Sequence, residues 1–180
     1  MKVLVSACLL GENCKYSGGN NYNQAVCDFV RGHQVVPVCP EVLGGLSTPR
    51  CPAEIVQGVV TNKKGVIVDR EFRAGAAKAL AIAKENGVEL AILQSRSPSC
   101  GVKEIYDGTF SGTKIPGQGV FAKMLMDEGI CVLDAGELSE MALARGDLFV
   151  LEDDGKICGT GILNKIQVDS YAEESWEHAV

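Results

Sequence analysis

The sequence predicts an α/β fold: a single Rossmann-like domain with a mainly parallel sheet that helices cover on both faces, plus a small C-terminal β-hairpin extension. The first observation is that short, apolar, strand-like runs alternate with segments of helical periodicity. The second is that these runs are apolar throughout, which is typical of parallel strands buried on both faces. The third is size, because 180 residues of which 46% are hydrophobic suit one compact domain with a substantial core.

The N-terminal part of the chain alternates strand, helix and strand. Residues 2–7 predict a buried strand, which leads into a loop rich in Gly and Asn. Residues 22–31 carry apolar side chains at helical spacing. Residues 34–38 predict the second strand, and the many turn formers in residues 44–52 predict a functional loop after it.

The middle of the chain continues the alternation after a small hairpin. Residues 59–61 and 66–68 predict the two strands of that hairpin. Asp69 is expected to cap a helix over residues 70–86. The remaining elements are a strand, a long loop, a helix and a final strand, at residues 88–94, 106–117, 118–128 and 130–134.

The pattern changes after residue 138, so we divide the chain into an α/β domain at residues 1–138 and a C-terminal extension at residues 139–180. The extension predicts a hairpin, residues 147–162, around an Asp-Gly turn, followed by a polar tail. No chemistry is assigned to it.

Charge and hydropathy exclude several classes of partner. The net charge is −6 and Lys and Arg form no block, so the chain is a poor candidate for binding a nucleic-acid backbone. No apolar run approaches the length that crosses a bilayer, and the first residues lack the layout of a signal peptide. We therefore expect a cytoplasmic protein whose partner is a small molecule, without nucleic acid or membrane.

Eight cysteines are unusual for a protein expected in a reducing compartment. That compartment argues against disulfides and favours metal binding or catalysis. Only two histidines are present, so a metal site built from several imidazoles is hard to assemble. Cys27, Cys131 and Cys158 fit better as small packed side chains.

Cys8, Cys39 and Cys100 differ because each follows the carboxyl end of a predicted strand or lies in the loop just after it. In a parallel sheet these ends share one crevice, where ligands bind. Three neighbouring thiolates repel one another unless a cation lies between them, and zinc or an iron–sulfur cluster would serve. Their spacing matches no zinc or ferredoxin signature, so the residues alone leave open both a metal site and simple packing.

Two polar residues lie close to these cysteines in the sequence. Glu41, two positions after Cys39, would reach the same crevice and could move protons. Ser97 precedes Cys100 by three positions in a Ser-Pro-Ser turn. A solvated carboxylate and a turn hydroxyl are the simpler interpretations unless the thiols converge.

Five motifs in order resemble the family of thiouracil (thiouridylate) desulfidases, long catalogued as a domain of unknown function. The likeness covers roughly residues 1–135. Its motifs are Val5–Gly11 with Cys14–Tyr16, Pro37–Glu41, Gly44–Arg50 with Pro52–Glu54, Ser95–Gly101 and Tyr106–Gly112. The chain departs from the usual family pattern at Ser17, where Asp is common, and at Cys51, where Pro is common.

The resemblance implies a [4Fe–4S] cluster held by three cysteines, here Cys8, Cys39 and Cys100, with one iron free of protein ligands. It also implies a catalytic Glu and Ser, which fall on Glu41 and Ser97. The implied reaction is the hydrolytic, non-redox removal of sulfur from a thiolated uracil or its nucleotide, with release of sulfide. A zinc–thiolate module and a metal-free small-molecule binding domain remain the alternatives.

The substrate within this class is left open by the sequence. If it is a nucleotide, four basic residues are candidates to contact its phosphate: Lys15, Arg50, Arg96 and Lys103. The roles of Cys14 and Cys51 and the oligomeric state are also left open.

Overall fold

A computed structural model describes residues 1–138, and the predicted C-terminal hairpin lies outside the described residues. Within that part the fold is α/β, as predicted. The strands are β1 (Lys2–Ser6), β2 (Gln34–Val38), β3 (Ala53–Val56), β4 (Val59–Asn62), β5 (Leu90–Leu93), β6 (Glu104–Tyr106), β7 (Lys114–Pro116) and β8 (Cys131–Asp134). The α-helices are α1 (Gln24–Phe29), α2 (Pro40–Leu43), α3 (Asp69–Asn86) and α4 (Val120–Asp127).

The main sheet has four parallel strands in the order β2-β1-β5-β8. In its register Val5 of β1 lies opposite Pro37 of β2 on one side and Ile92 of β5 on the other. Because the strands are parallel, the loops that follow β1, β2 and β5 leave the sheet at one common edge.

Apolar side chains fill both faces of this sheet. Along β1, Leu4 faces a cluster that includes side chains of α3 and α4, whereas Val3 and Val5 face a cluster that includes side chains of α1. This alternation along a strand with two buried faces explains why the predicted strands are apolar at every position.

The helix boundaries have local causes, and one expectation about them was wrong. Asn23 caps α1 through a hydrogen bond from the Val26 N–H, 3.1 Å. Asp69 was expected to cap α3, but it is the first residue of the helix, and its carboxylate accepts a hydrogen bond from the Val60 N–H. Asp69 thus ties α3 to β4. Gly87 ends α3 in the left-handed conformation that glycine favours.

The predicted hairpin of residues 59–61 and 66–68 is present in a short form, with the Val68 N–H bonded to the Val60 carbonyl oxygen at 2.9 Å, but the main pairing of β4 was not predicted. β4 pairs along its length with β3, and residues 66–68 contribute one isolated bridge, Thr61 to Ile67. The turn between β3 and β4 is Gln57-Gly58, with φ of 48° and 83°. Two successive positive φ values fit a tight hairpin turn, but Gln at the first position gives no sequence signal for it.

A close backbone contact fixes α2 against α3. A Cβ atom on Gly44 would lie 2.1 Å from the Glu71 carbonyl oxygen, and one on Gly75 would lie 1.8 Å from the Pro40 carbonyl oxygen. Only glycine permits this approach at either position. The contact sets the position of α2, which carries Glu41 and follows Cys39 directly.

None of the helices in residues 1–138 combines the length and the apolar character that a membrane span requires.

Candidate active site

The three cysteines predicted as ligands line one cavity of about 480 Å³ at the carboxyl edge of the sheet. Cys8 lies in a 3-10 turn, Ala7–Leu10, that follows β1 directly. Cys39 joins β2 to α2, and Cys100 lies in the turns after β5. Since β2, β1 and β5 are adjacent strands, side chains distant in sequence meet at this edge.

A fourth cysteine, Cys14, lines the same cavity. Its carbonyl oxygen accepts a hydrogen bond from the Arg50 Nη2 at 3.0 Å and lies 3.9 Å from the Cys39 Sγ. Cys51 does not line the cavity.

The thiols of Cys14, Cys39 and Cys100 have raised pKa values. Burial raises the pKa of Cys100, although a hydrogen bond with Ser6 acts in the opposite direction. The hydrogen bond with Cys14, together with burial, raises the pKa of Cys39 well above its usual range. For Cys14, the hydrogen bond with Cys39 lowers the pKa, but the one with Cys8 and burial outweigh it and raise the pKa to about 11. Binding a metal group at these thiols must therefore release protons.

Glu41 is held from both sides of its carboxylate. Arg50 donates from Nε to Oε2 at 2.7 Å, and its Nη2 lies 2.6 Å from the same oxygen. Oε1 faces the hydroxyls of Ser97, at 3.5 Å, and Ser99, at 3.2 Å. Both charged side chains are largely buried, with 8% of Arg50 and 15% of Glu41 exposed. The carboxylate is thus fixed in one orientation on the wall of the cavity.

Ser97 has a defined place in this arrangement. Its Oγ accepts hydrogen bonds from the backbone N–H groups of Ser99 and Cys100, at 3.1 and 3.2 Å. With these acceptor positions filled, its own proton is left to point towards Glu41 or towards a molecule in the cavity. The same turn therefore places the Ser97 hydroxyl and the Cys100 thiol together.

Basic side chains surround the cavity, but two of the phosphate candidates are engaged elsewhere. Arg50 is paired with Glu41, and Lys103 is paired with Glu137 and does not line the cavity. Lys15 and Arg96 do line it, and so does Lys63. None of these last three has a carboxylate partner within the described residues.

Two cavity residues have strained backbones. Arg96 and Phe110 have φ of 63° and 57°, a region that non-glycine residues seldom occupy. Buried Glu54 stabilises the second of these by accepting hydrogen bonds from the N–H groups of Gly108 and Phe110, both 3.0 Å. Such strain is typical of functional sites, where the surrounding structure keeps it in place.

The donor set suits an iron–sulfur cluster. Thiolates are the usual ligands of such clusters, and four thiols line one cavity. Within residues 1–138 no three His, Cys, Asp or Glu side chains are arranged to hold a single metal ion. In a four-iron cluster each cysteine binds a different iron, so its ligands need not surround one point. The assignment of Cys8, Cys39 and Cys100 as the ligands stays a prediction.

The sequence interpretation missed Ser99, Lys63 and Glu54. Ser99 follows Ser97 by two positions in a turn, so its proximity to Glu41 had a faint signal. Lys63 lies beyond β4, and only the pairing of β3 with β4 brings it to the cavity. Glu54 lies within one of the motifs quoted above. The backbone N–H groups that it binds, those of Gly108 and Phe110, come 54 and 56 positions later in the chain.

The fold and this cavity define an α/β enzyme with a thiol-lined pocket at the carboxyl edge of its sheet. A family model described as 2-thiouracil desulfurase matches residues 3–137. The chain belongs to this family and is a desulfidase.

Two relatives accompany the family match. One is YbbK of Bacillus subtilis (strain 168), described as uncharacterized, which is 42% identical over 149 residues and is aligned over 77% of this chain and 99% of its own. The other is a solved structure, the [4Fe-4S]-dependent thiouracil desulfidase TudS, with 38% identity and a TM-score of 0.72. That match covers 81% of this chain and 97% of the solved one.

Proposed function

We propose that the protein is an iron–sulfur-dependent desulfidase that removes sulfur hydrolytically, without net electron transfer, from a thiolated uracil or its nucleotide. The observation that carries this proposal is the cavity itself. It brings cysteine thiols, a fixed carboxylate and a serine hydroxyl to one place. The family match and the cluster-dependent solved relative support the same chemistry.

Cys8, Cys39 and Cys100 would hold a [4Fe–4S] cluster that leaves one iron free of these three thiolates. When bound, the cluster would supply a Lewis acid that attracts the thiocarbonyl sulfur of the substrate and polarises the carbon–sulfur bond. The reaction consumes water and gives the oxo compound and hydrogen sulfide, so atoms balance and no oxidant or reductant is required.

The chain's own polar groups would handle the protons. Glu41 would accept a proton from the attacking water, because its Oε1 faces the cavity beside two hydroxyls. Ser97 would orient that water or protonate the departing sulfur, since its acceptor positions are filled by backbone N–H groups. Arg50 would keep the carboxylate in place rather than bind substrate.

The charge around the cavity favours a nucleotide over a free base. Lys15, Lys63 and Arg96 line the cavity without carboxylate partners in the described part of the chain. Three such cations are suited to a phosphate group. A thiolated uridine monophosphate would therefore bind more tightly than the corresponding free base. A cytoplasmic location, as expected from the sequence, fits such a substrate.

The test is sulfide release by anaerobically reconstituted protein from 2-thiouracil, 4-thiouracil and 4-thiouridine monophosphate. Turnover of at least one supports the proposal, with a preference of about tenfold for 4-thiouridine monophosphate over 4-thiouracil, as expected for one charge-assisted contact. A protein with a full complement of iron and acid-labile sulfide that releases no sulfide from any of them refutes the function.

Metal analysis separates the alternatives. A brown protein that contains iron and acid-labile sulfide supports the cluster, whereas a colourless protein that holds one zinc ion supports a zinc–thiolate module. In a metal-free binding domain, Cys8→Ser, Cys39→Ser and Cys100→Ser would each leave metal content and activity unchanged.

A further inference from the structure

Asn21 contacts Cys8, one of the three predicted cluster ligands, through both its backbone and its side chain. The backbone N–H of Asn21 donates to the Cys8 carbonyl oxygen at 2.9 Å. The side-chain Nδ2 forms an N–H···S hydrogen bond with the Cys8 Sγ over 3.8 Å. Asn21 also lines the cavity. The function described so far gives this side chain no role.

The direction of the hydrogen bond follows from the state of the sulfur. A cysteine that binds iron is a thiolate without a proton, so its sulfur can only accept. The amide of Asn21 has two N–H donors at Nδ2, and a charged acceptor makes such a bond stronger. The Cys39 Sγ instead faces the carbonyl oxygen of Cys14, 3.9 Å away, which has no proton to donate. Asn21 is therefore placed to stabilise Cys8 in the form that binds iron.

Anchoring of the loop does not explain the Asn21 side chain. Two backbone N–H groups already attach the loop to the Cys8 carbonyl oxygen, those of Gly11 at 3.3 Å and of Asn21 itself. The neighbouring Asn20 braces the loop further, because its Nδ2 donates to the Gly11 carbonyl oxygen at 3.1 Å and to the Asn13 Oδ1 at 2.8 Å. Asn20 is exposed and does not line the cavity. The side chain of Asn20 thus fixes the loop, whereas that of Asn21 contacts a sulfur.

Resting on the proposed function, we propose that Asn21 is a positioning residue for the cluster: its Nδ2 donates a hydrogen bond to the iron-bound sulfur of Cys8 and withdraws electron density from the cluster. Hydrogen bonds to the sulfurs are one determinant of the reduction potential of an iron–sulfur cluster. They favour the reduced form, because it carries more negative charge. The same withdrawal of electron density strengthens a Lewis acid. The reaction itself still transfers no electron, and the reduction potential serves only to measure the effect.

The experiment compares wild type with Asn21→Leu, which removes the donor and keeps a side chain of similar size. Asn20→Leu is the matched control, since it makes the same change in the same loop without touching a sulfur. Each protein is reconstituted anaerobically without substrate, and iron and acid-labile sulfide are measured to confirm equal loading. EPR then gives the fraction of reduced cluster at a series of set potentials.

We expect Asn21→Leu to lower the ratio of reduced to oxidised cluster about threefold at a given potential, a shift of about 28 mV for one electron. Asn20→Leu should match wild type. An unchanged potential in Asn21→Leu overturns the inference. An equal shift in the two variants also overturns it, because a disturbed loop would then be the cause.

A second measurement does not depend on Asn21→Leu binding a cluster. Wild type and Asn20→Leu are prepared with ¹⁵N in the side-chain amide of asparagine, and pulsed EPR of the reduced cluster detects nitrogen nuclei coupled to its spin. We expect a ¹⁵N coupling in both proteins, because the Asn21 Nδ2 is bonded to the sulfur of a predicted ligand. Absence of the coupling from a fully loaded wild type would refute the role of Asn21.

These readouts need no turnover, so they separate this inference from the proposed function. A wild type that shows the coupling and the expected difference in potential but releases no sulfide would refute the function and leave the role of Asn21 standing. Sulfide release together with equal potentials in wild type and Asn21→Leu would refute the inference alone. A wild type that binds no cluster would overturn both.

Discussion

Arg50 and Glu41 form a largely buried ion pair in which both Nε and Nη2 of the guanidinium approach the single oxygen Oε2, at 2.7 and 2.6 Å. The remaining donors of Arg50 are occupied by the Ser47 carbonyl, the Thr48 hydroxyl and the Cys14 carbonyl. Arg50 therefore connects the predicted base to the loop that carries Cys14, and Oε1 of Glu41 is left to the serines.

Removing Arg50 should destabilise the protein through the charge left behind. We expect Arg50→Met to lower the free energy of unfolding by about 3–5 kcal/mol, because an uncompensated carboxylate remains buried. In a Glu41→Gln background the same change should cost less. Urea unfolding of the metal-free proteins at pH 7 measures both.

Lys123→Met, which breaks the exposed pair with Asp127, is the control and should cost about 1 kcal/mol or less. Equal costs of Arg50→Met in the two backgrounds would contradict this reasoning.

Ser99 should influence turnover through Glu41. Its hydroxyl donates to Oε1, and Ser99 itself is only 1% exposed, so it does not reach the substrate. We expect Ser99→Ala to lower kcat about tenfold, the equivalent of one hydrogen bond of about 1.4 kcal/mol, with little change in KM.

A double variant tests whether the effect of Ser99 on turnover acts through Glu41. In a Glu41→Gln background, sulfide-release assays should show a smaller effect of Ser99→Ala, because the carboxylate that it positions is gone. Ser111→Ala, which removes a hydroxyl outside the cavity lining, should leave kcat unchanged. Independent, multiplicative losses in the double variant would mean that Ser99 acts by another route.

The close backbone contact between α2 and α3 should affect both the stability of the protein and its retention of the cluster. Gly75→Ala places a methyl group against the Pro40 carbonyl, so α2 must shift. We expect a loss of about 1–3 kcal/mol in the free energy of unfolding, from overpacking. We also expect poorer cluster retention, because Cys39 precedes α2 directly. Gly19→Ala is the control, since a Cβ there meets nothing within 4 Å. Iron analysis after gel filtration, together with urea unfolding, would show whether both losses occur.

The basic residues that line the cavity should affect KM for a nucleotide substrate but not KM for the free base. Lys15→Ala is expected to raise KM for 4-thiouridine monophosphate about tenfold, the loss of one charge-assisted contact, and to leave KM for 4-thiouracil unchanged. Lys103→Ala serves as the control because Lys103 is paired with Glu137 away from the cavity. An equal rise for both substrates would argue against a phosphate contact.

Because of Asp69, the free energy of unfolding should decrease as the pH falls into the acid range. Burial alone would raise the pKa of its carboxyl, but hydrogen bonds from Arg73 and the Val60 N–H lower it below its usual value. A carboxyl whose pKa is lower in the folded state stabilises the protein above its unfolded pKa of about 3.9, and this contribution is lost as the pH falls through the folded pKa.

Asp69→Asn should therefore be less stable than wild type at pH 7, and the difference should shrink at pH 3. Urea unfolding of the metal-free proteins at both values tests this. Asp127→Asn removes a highly exposed carboxylate and should show a smaller difference. A difference for Asp69→Asn that is constant with pH would exclude the carboxylate as its cause.

The sequence predicted the parts of the fold that depend on local pattern. The strands of the main sheet were identifiable because each is apolar on both faces, and their common edge followed from parallel pairing. The pairing of β4 with β3 could not be identified from the sequence. The turn that joins them, Gln57-Gly58, has two positive φ values, but Gln is not one of the residues that usually signal such a turn.

The residues of the site likewise divide into those that the local sequence pattern could place and those that it could not. Cys8, Cys39 and Cys100 could be placed at one edge because each follows a strand. The pairing of Arg50 with Glu41 depends on the path of an irregular loop, which no periodicity describes. The closeness of Cys14 to Cys39 likewise arises from a loop folding back over 25 positions.

The predicted ligands follow three strands that are neighbours in space but come from distant parts of the chain, at positions 8, 39 and 100. During synthesis the first two are available long before the third, and none has its final neighbours until β5 has joined β1. A cluster inserted earlier would meet too few thiolates. Cluster insertion should therefore follow assembly of the sheet, so that a loaded cofactor marks a chain that has already folded.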